Sequence, residues 1–359
     1  MAPRTVSHIS SPSQSIEKRE IRFSNLEEQV SKELKWFYVR YPGGGSRYLY
    51  VDSHKYGFVW PNITMFCIIH AIFFYSFYLL YVEGLKYYAI KGVGYGMTAG
   101  LGVTTGAHRL WTHRSYEAKF PLRFLLIACH TMAGQNDMFT WVRDHRLHHK
   151  FSETDADPHN SLRGMFFAHV GWLLTKKHPD VHIKGRTIDM SDVIGDPLVQ
   201  FQRKYYIPFY LIFRFYIPIR LAMWTTGVDF YTSIIGLFST YVGSLHCTWF
   251  VNSFAHGFGD KPYNAKIQPR NNKFVSTITL GEGFHNFHHT FPWDYTIGEF
   301  VWSYNLGQIF IEWMAKLGFA YNLKRATGEQ VQNRMLSARR VKDGTLYQND
   351  HPYEIPHEY

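Results

Sequence analysis

Eight histidines of this chain fall into three short clusters with the spacing of metal ligands. His108 and His113 stand in H-R-L-W-T-H, His145, His148 and His149 in H-R-L-H-H, and His285, His288 and His289 in H-N-F-H-H. Residues three and four apart on a helix share a face, so His145 can pair with both His148 and His149 at one site, and His285 with His288 and His289. The five-residue step from His108 to His113 fits a regular helix less well and suggests a helix end bending over the site. His256, at the end of a later apolar stretch, brings the set to nine, too many for one ion. Nitrogen donors suit borderline transition metals better than calcium or magnesium, which prefer oxygen. Structural zinc takes four ligands and would leave half the set idle. Two redox irons with open positions for O2 account for the whole count. The isolated histidines His70, His130, His169, His178 and His246 read as core or surface residues. A metal transporter would place its ligands inside membrane spans, whereas nearly all of these lie outside them. Asp and Glu are few near the clusters, so the soluble carboxylate di-iron arrangement does not compete.

The elements that must position these residues are membrane helices. Charged residues make up 18% of the chain, against roughly 25% in an ordinary soluble domain. A mean hydropathy of −0.23 averages apolar blocks with long polar stretches. No charge occurs from Tyr56 to Val82 or from Phe230 to Gly259, and only Lys91 falls between Tyr87 and Ala107. Each stretch reaches the roughly 20 residues that cross a bilayer as a helix. The expected spans are about 56–82, 87–107, 205–226 and 230–255, forming two hairpins. The third holds Pro208, Pro218, Arg214 and Arg220, and an arginine at mid-depth must snorkel or face protein. Phe120 to Ala133 is apolar apart from Arg123 but too short to span, and is expected at the interface or packed under the cap.

Lys18, Arg19, Arg22, Lys32, Lys35 and Arg40 precede the first span, while the connections around Glu83 and Asp229 are poor in Lys and Arg. The positive-inside rule then puts both termini and the segment from His108 to Lys204 on the cytosolic side. The first 35 residues lack the apolar core of a secretory signal. The net charge of +10 implies an anionic membrane face or phosphorylated ligand; without short basic blocks, nucleic acid is not an expected partner. Cys67, Cys129 and Cys247 lie in apolar stretches and read as buried small hydrophobes.

From about Trp60 to Tyr321 the chain resembles the membrane fatty acyl-CoA desaturases of the stearoyl-CoA desaturase type. The resemblance rests on GAHRLWTHR at 106–114, QNDMFTWVRDHRLHHKFSETDADPHN at 135–160, GWLLTKKHP at 171–179, TWFVNSFAH at 248–256 and GEGFHNFHHTFPWDY at 281–295. It implies an all-α integral membrane protein: four transmembrane helices in two hairpins, with a cytosolic helical cap holding a di-iron histidine site. Residues 1–55 would form a partly disordered N-terminal segment, 56–321 the desaturase domain and 322–359 a polar mobile tail. The nine histidines would hold two iron ions, with Asn252 reaching one through a water. Asn62, Asn136, Arg143, Asp144, Lys176, Lys177 and Trp249 match positions that contact acyl-CoA, where cations suit the phosphates. Gln135, Trp141, Thr248 and Trp249 match positions that line and bend the acyl tunnel.

The implied reaction places a double bond, expected at delta-9, in a long-chain acyl-CoA with O2. Its two electrons would come from cytochrome b5 and its NADH-dependent reductase, at the endoplasmic reticulum membrane. The alternatives are a fatty-acyl or sterol hydroxylase sharing the histidine boxes, and, outside that class, a metal transporter or non-catalytic lipid-binding protein. Several positions depart from the family. Gly96 and Gly100 stand where the tunnel ends; missing side chains there would lengthen it, though Gly92, Gly96 and Gly100 also make a stripe for close helix packing. Gly134 replaces a frequent aromatic, and Arg214 and Arg220 are unexpected in the third span. YPGGG at 41–45 resembles the haem-binding HPGG of cytochrome b5, but Tyr41 replaces the ligand, so it reads as a loop.

Overall fold

The computed structural model describes residues 57–83, 86–298 and 305–344, together with two short paired strands, Tyr38–Arg40 and Ser46–Tyr48. The YPGGG loop, most of the N-terminal segment and residues 345–359 lie outside the described residues. The first long helix, α1 (Trp60–Glu83), has 24 residues, about 36 Å at 1.5 Å per residue. That exceeds the roughly 30 Å of a hydrocarbon core. α2 (Lys86–Leu101) follows, then α3 (Phe120–Ala133), α4 (Met138–Lys150) and α5 (Phe230–Gly257). Towards the C-terminus come α6 (His285–Thr290), α7 (Leu306–Lys316) and α8 (Gly328–Lys342). Among the described residues three helices are long and apolar enough to cross a membrane: Trp60–Val82, Tyr206–Thr226 and Phe230–Gly257.

α2 differs from its sequence expectation. Its α-helical part has 16 residues and widens at Gly102–Thr112 into a π-helix, buried throughout. The reason lies in its neighbour α3: a Cβ on Gly102 would stand 2.1 Å from the His130 amide nitrogen. Only glycine lets the two backbones approach this closely. The same winding corrects the expected helix bend at the first histidine pair. The His113 amide bonds the His108 carbonyl at 3.1 Å, five residues back, so the wider turn itself places both rings on one side.

The segment Tyr206–Thr226 resolves the arginine at mid-depth. Its own π turn, Leu211–Tyr216, precedes Pro218, which has no amide hydrogen to donate. Arg214 turns inward and is 1% exposed. Its guanidinium donates to Tyr95 Oη at 3.1 Å and to the Met132 and Leu237 carbonyls at 3.3 and 3.4 Å, and lies 4.2 Å over the Tyr241 ring. Arg220 is exposed. Three histidines read as isolated form a line instead. His70 Nε2 lies 3.2 Å from His246 Nε2, His246 Nδ1 lies 2.9 Å from His169 Nε2, and His169 Nδ1 lies 2.9 Å from Ser253 Oγ. This line ties α1 and α5 to the cap. His130 is fully buried beside Trp141, with burial lowering its pKa to about 4.

The cap core gathers Leu126 and Ile127 of α3, Met138 and Val142 of α4 and Ile311 of α7, all fully buried. The first two turns of α3 expose Phe120, Phe124 and Leu125. A second core of Tyr263, Phe284, Phe287 and Phe291 receives Val331 of α8. The region read as a polar tail therefore contains a helix, opened by a capping box between Thr327 and Gln330. One buried charge pair joins the halves of the cap. Arg109, 1% exposed, donates to Glu282 at 3.0 Å, the Tyr295 carbonyl at 2.9 Å and Asn305 Oδ1 at 3.2 Å. Gly281 (φ +116) makes room: a Cβ there would meet Asn305 Oδ1 at 2.3 Å. Arg109→Ala leaves Glu282 buried without its cation and is expected to cost roughly 3–5 kcal/mol. Thermal unfolding in detergent checks this, and an unchanged midpoint would contradict it.

Candidate metal centre

Four elements deliver the nine histidines to one place. The π segment supplies His108 and, at its end, His113; α4 supplies His145, His148 and His149; α5 supplies His256; α6 supplies His285, His288 and His289. Asp137 caps α4 by accepting from the Thr140 amide at 3.1 Å. The rings form two groups whose candidate ligand atoms lie within 4.8 Å of one another: His108, His113, His145, His149 and His288 in one, His148, His256, His285 and His289 in the other. Expectation and structure part here, because each H-x-x-H-H run serves both groups. In α4 and α6 alike one i,i+4 pair shares a group, His145 with His149 and His285 with His289. The remaining ring, His148 or His288, crosses to the other group. At about 100° per residue the i+4 residue lies about 40° to one side of residue i and the i+3 residue about 60° to the other, so the last two rings of each run point about 100° apart and can serve different groups.

The Nε2 atoms point inward. His288 Nε2 lies 3.0 Å from His108 Nε2 and 2.9 Å from His149 Nε2; His289 Nε2 lies 3.3 Å from His148 Nε2 and 3.1 Å from His285 Nε2. Metal–nitrogen bonds of about 2.0–2.1 Å place neighbouring ligand atoms about 3 Å apart, so the cages fit transition metals. Both ring nitrogens of His113, and Nε2 of His145 and of His256, are buried without a hydrogen-bond partner. Such orphans call for an ion or water.

Three carboxylates back the cages, and the sequence analysis passed over all of them. Glu282 lies 2.8 Å from His108 Nδ1, Asp157 2.9 Å from His148 Nδ1 and Glu153 2.7 Å from His256 Nδ1. Asp157 and Glu153 hydrogen-bond the outer nitrogens of His148 and His256, which leaves Nε2 free to bind as in most ligand histidines, and Glu282 sets a carboxylate charge beside His108. Glu153 and Asp157 stand a few residues after the second box and Glu282 three before the third, so proximity in sequence was the available signal. His159 also joins His148 and Asp157 in a third group of candidate ligands.

Trp141 stacks on His145 with ring centroids 5.0 Å apart, and its Nε1 donates to Gln135 Oε1 at 3.4 Å. Gln135 Nε2 donates to Thr248 Oγ1 at 2.9 Å. From the cages an apolar cavity of about 450 Å³ runs between α1, α2 and α5 to Leu80 and Thr232. Trp141, Thr248, Asn252, Gly96 and Gly100 line it together with His108, His145 and His285. Trp249 does not; it is 2% exposed and packs edge-on to Phe66. A Cβ on Gly100 would meet Leu280 Cδ1 at 3.1 Å and one on Gly96 would meet Thr240 Cγ2 at 3.2 Å. These glycines thus both admit close packing and face the cavity.

On the outer surface Arg143 and Lys177 bracket Asp144 at 2.7 and 2.5 Å. Asn62 donates to the Leu173 carbonyl at 2.7 Å, and the Lys176 amide bonds the Gly57 carbonyl at 3.0 Å. Lys176 and Asn136 are exposed.

Burial, reinforced by neighbouring imidazoles, holds His113, His145, His149, His285, His288 and His289 well below the ordinary 6.5. Burial also lowers His148, but the Asp157 carboxylate outweighs it and raises that ring. Six against one, the unfolded chain binds more protons below pH 6.5. Stability of the metal-free protein is therefore full above that pH and lost as the pH falls through it. Its unfolding midpoint should be lower at about pH 5.5 than at about pH 8; equal midpoints would contradict neutral cages.

The profile of the family described as fatty acid desaturase matches residues 88–309. The human protein named stearoyl-CoA desaturase is 47% identical over 294 residues, which cover 81% of this chain and 80% of that one. Stearoyl-CoA desaturase 4 of Mus musculus is 47% identical over 293 residues, 81% of this chain and 82% of its own. Acyl-CoA desaturase of Ovis aries is 48% identical over 283 residues, 78% of each chain. With its histidine cages built as they are, the chain belongs to the fatty acid desaturase family.

Proposed function

We propose that the protein is an O2-dependent acyl-CoA desaturase that introduces a delta-9 double bond into a long-chain fatty acyl-CoA. The observation that carries this reading is an apolar cavity running directly to two histidine cages. An unactivated methylene offers no polar handle, so only the shape and depth of a tunnel can select which carbon reacts.

Two iron ions would sit in the cages: His108, His113, His145, His149 and His288 around one, His148, His256, His285 and His289 around the other, with Asn252 acting on the second through a water. When bound, the irons supply O2 activation and the removal of two hydrogens. The chain's own residues do the rest. Trp141, Gln135 and Thr248 hold the wall beside His145 and set the bend of the acyl chain, while the apolar lining excludes water. Gly96 and Gly100 leave depth beyond the metals. Asn62, Asn136, Arg143, Asp144, Lys176 and Lys177 would receive the CoA head, cations on phosphates. Trp249 would support the tunnel wall from behind.

In this reading α2 is the fourth span, pairing with α1 as the Tyr206–Thr226 segment pairs with α5, and residues 56–321 form the catalytic unit. The protein is multi-pass in the endoplasmic reticulum membrane with cytosolic termini, and takes its electrons from cytochrome b5 and its NADH-dependent reductase.

Expression in yeast lacking its own desaturase, with products analysed by mass spectrometry, tests the reaction. New delta-9 monounsaturated chains are expected; hydroxylated chains would move the protein to the hydroxylases. Gly100→Leu should fill the tunnel and shift the products to shorter chains. An unchanged chain-length profile would make Gly100 a packing residue alone.

A further inference from the structure

The two cages have nearly equal numbers of neutral ligands but different charges behind them. Beside the five-histidine cage, Glu282 meets His108 Nδ1 at 2.8 Å with one oxygen, and its other oxygen takes Arg109 Nε and Nη2 at 3.2 and 3.0 Å. Both members of that pair are buried, so its charge cancels in place. The second arginine there, Arg146, donates to the Trp111 and Thr112 carbonyls just before His113 and is paired with Asp192 at 2.8 Å.

Behind the four-histidine cage stand two carboxylates, Glu153 on His256 and Asp157 on His148. Their other hydrogen bonds come from neutral donors: Ser161 Oγ and the Leu162 amide to Glu153, the Glu153 and His159 amides to Asp157. Asp157 is 2% exposed. Charges in such a setting are weakly screened and act on an ion held by the same imidazoles.

The geometry points to two irons of unequal potential, the one in the four-histidine cage being oxidised first, with Glu153 and Asp157 as the positioning residues that set the difference. Because every ligand is a neutral imidazole, the ligands themselves add no charge to either ion. A carboxylate that accepts from Nδ1 makes that imidazole a stronger donor and favours the ferric over the ferrous ion. The half-reaction is the loss of one electron from ferrous to ferric iron, and in the test the electron passes to a redox mediator. The inference rests on reading the cages as iron sites.

The test is a mediated potentiometric titration of the full chain in detergent, followed by Mössbauer spectroscopy, with iron content measured alongside. Wild type should hold two irons and show two one-electron waves. Glu153→Gln and Asp157→Asn keep an acceptor of the same shape but remove the charge. Each should raise the lower wave, by about 59 mV for every tenfold loss of ferric preference, and leave the upper wave in place. A single wave in wild type overturns the inference even if neither variant folds. So does movement of the upper wave, or no movement in a variant that retains both irons. A chain that takes up zinc but no iron fails at the earlier step and overturns the iron reading, and this inference with it.

Discussion

Nine imidazoles must be held within reach of one another, out of water and uncharged, and the rest of the structure follows from that constraint. Protonated rings at these separations would repel strongly in a buried site. Burial keeps most of them neutral, and a carboxylate stands behind three of them to fix which nitrogen faces inward. The polar network has a membrane on one side and a cap on the other. Its ligands must therefore come from helix ends, where the chain can leave the apolar layer without stranding its backbone.

Two devices meet this demand. The π winding after α2 carries His108 and His113 round on one side, and Gly102 lets α3 brace that turn by backbone contact. The Arg109–Glu282 pair locks the end of the same turn to the loop that leads into α6, so the first and third histidine clusters are registered by one buried ion pair. Glu282 then serves twice, as partner to Arg109 and as the carboxylate 2.8 Å from His108 Nδ1.

Between the cages and the far end of the helices the cavity is lined by no charged residue, and its polar groups are chiefly Ser and Thr hydroxyls. Small residues on α2 and α5 leave the cavity open, while aromatic and histidine contacts on the other faces of α1 and α5 hold the bundle around it. Arg214 belongs to the same economy: with no carboxylate partner among the described residues, its two terminal nitrogens donate to carbonyls and a tyrosine hydroxyl beside an aromatic face, while its Nε has no hydrogen-bond partner.

Much of this was legible in the sequence. Charge-free stretches mark the long helices because an unpaired charge in hydrocarbon is costly, and the paired H-x-x-H-H runs announce a metal site because helical periodicity brings their rings together. The isolated histidines His70, His169 and His246 looked unrelated because they meet across three elements. The division of the nine rings into five and four was also hidden, since it depends on the rotation of α4 and α6 about their axes, which is set by packing. Glu153, Asp157 and Glu282 were overlooked for a related reason. Which carboxylate meets which ring is decided across separations as long as that between Glu153 and His256, and only the folded chain brings them within a hydrogen bond. By itself the sequence determined which atoms could bind metal and that they lie at the edge of the membrane helices or outside them; the tertiary structure alone decided how they are shared between two cages, because local periodicity orients a side chain on its own helix but not the helix against its neighbours.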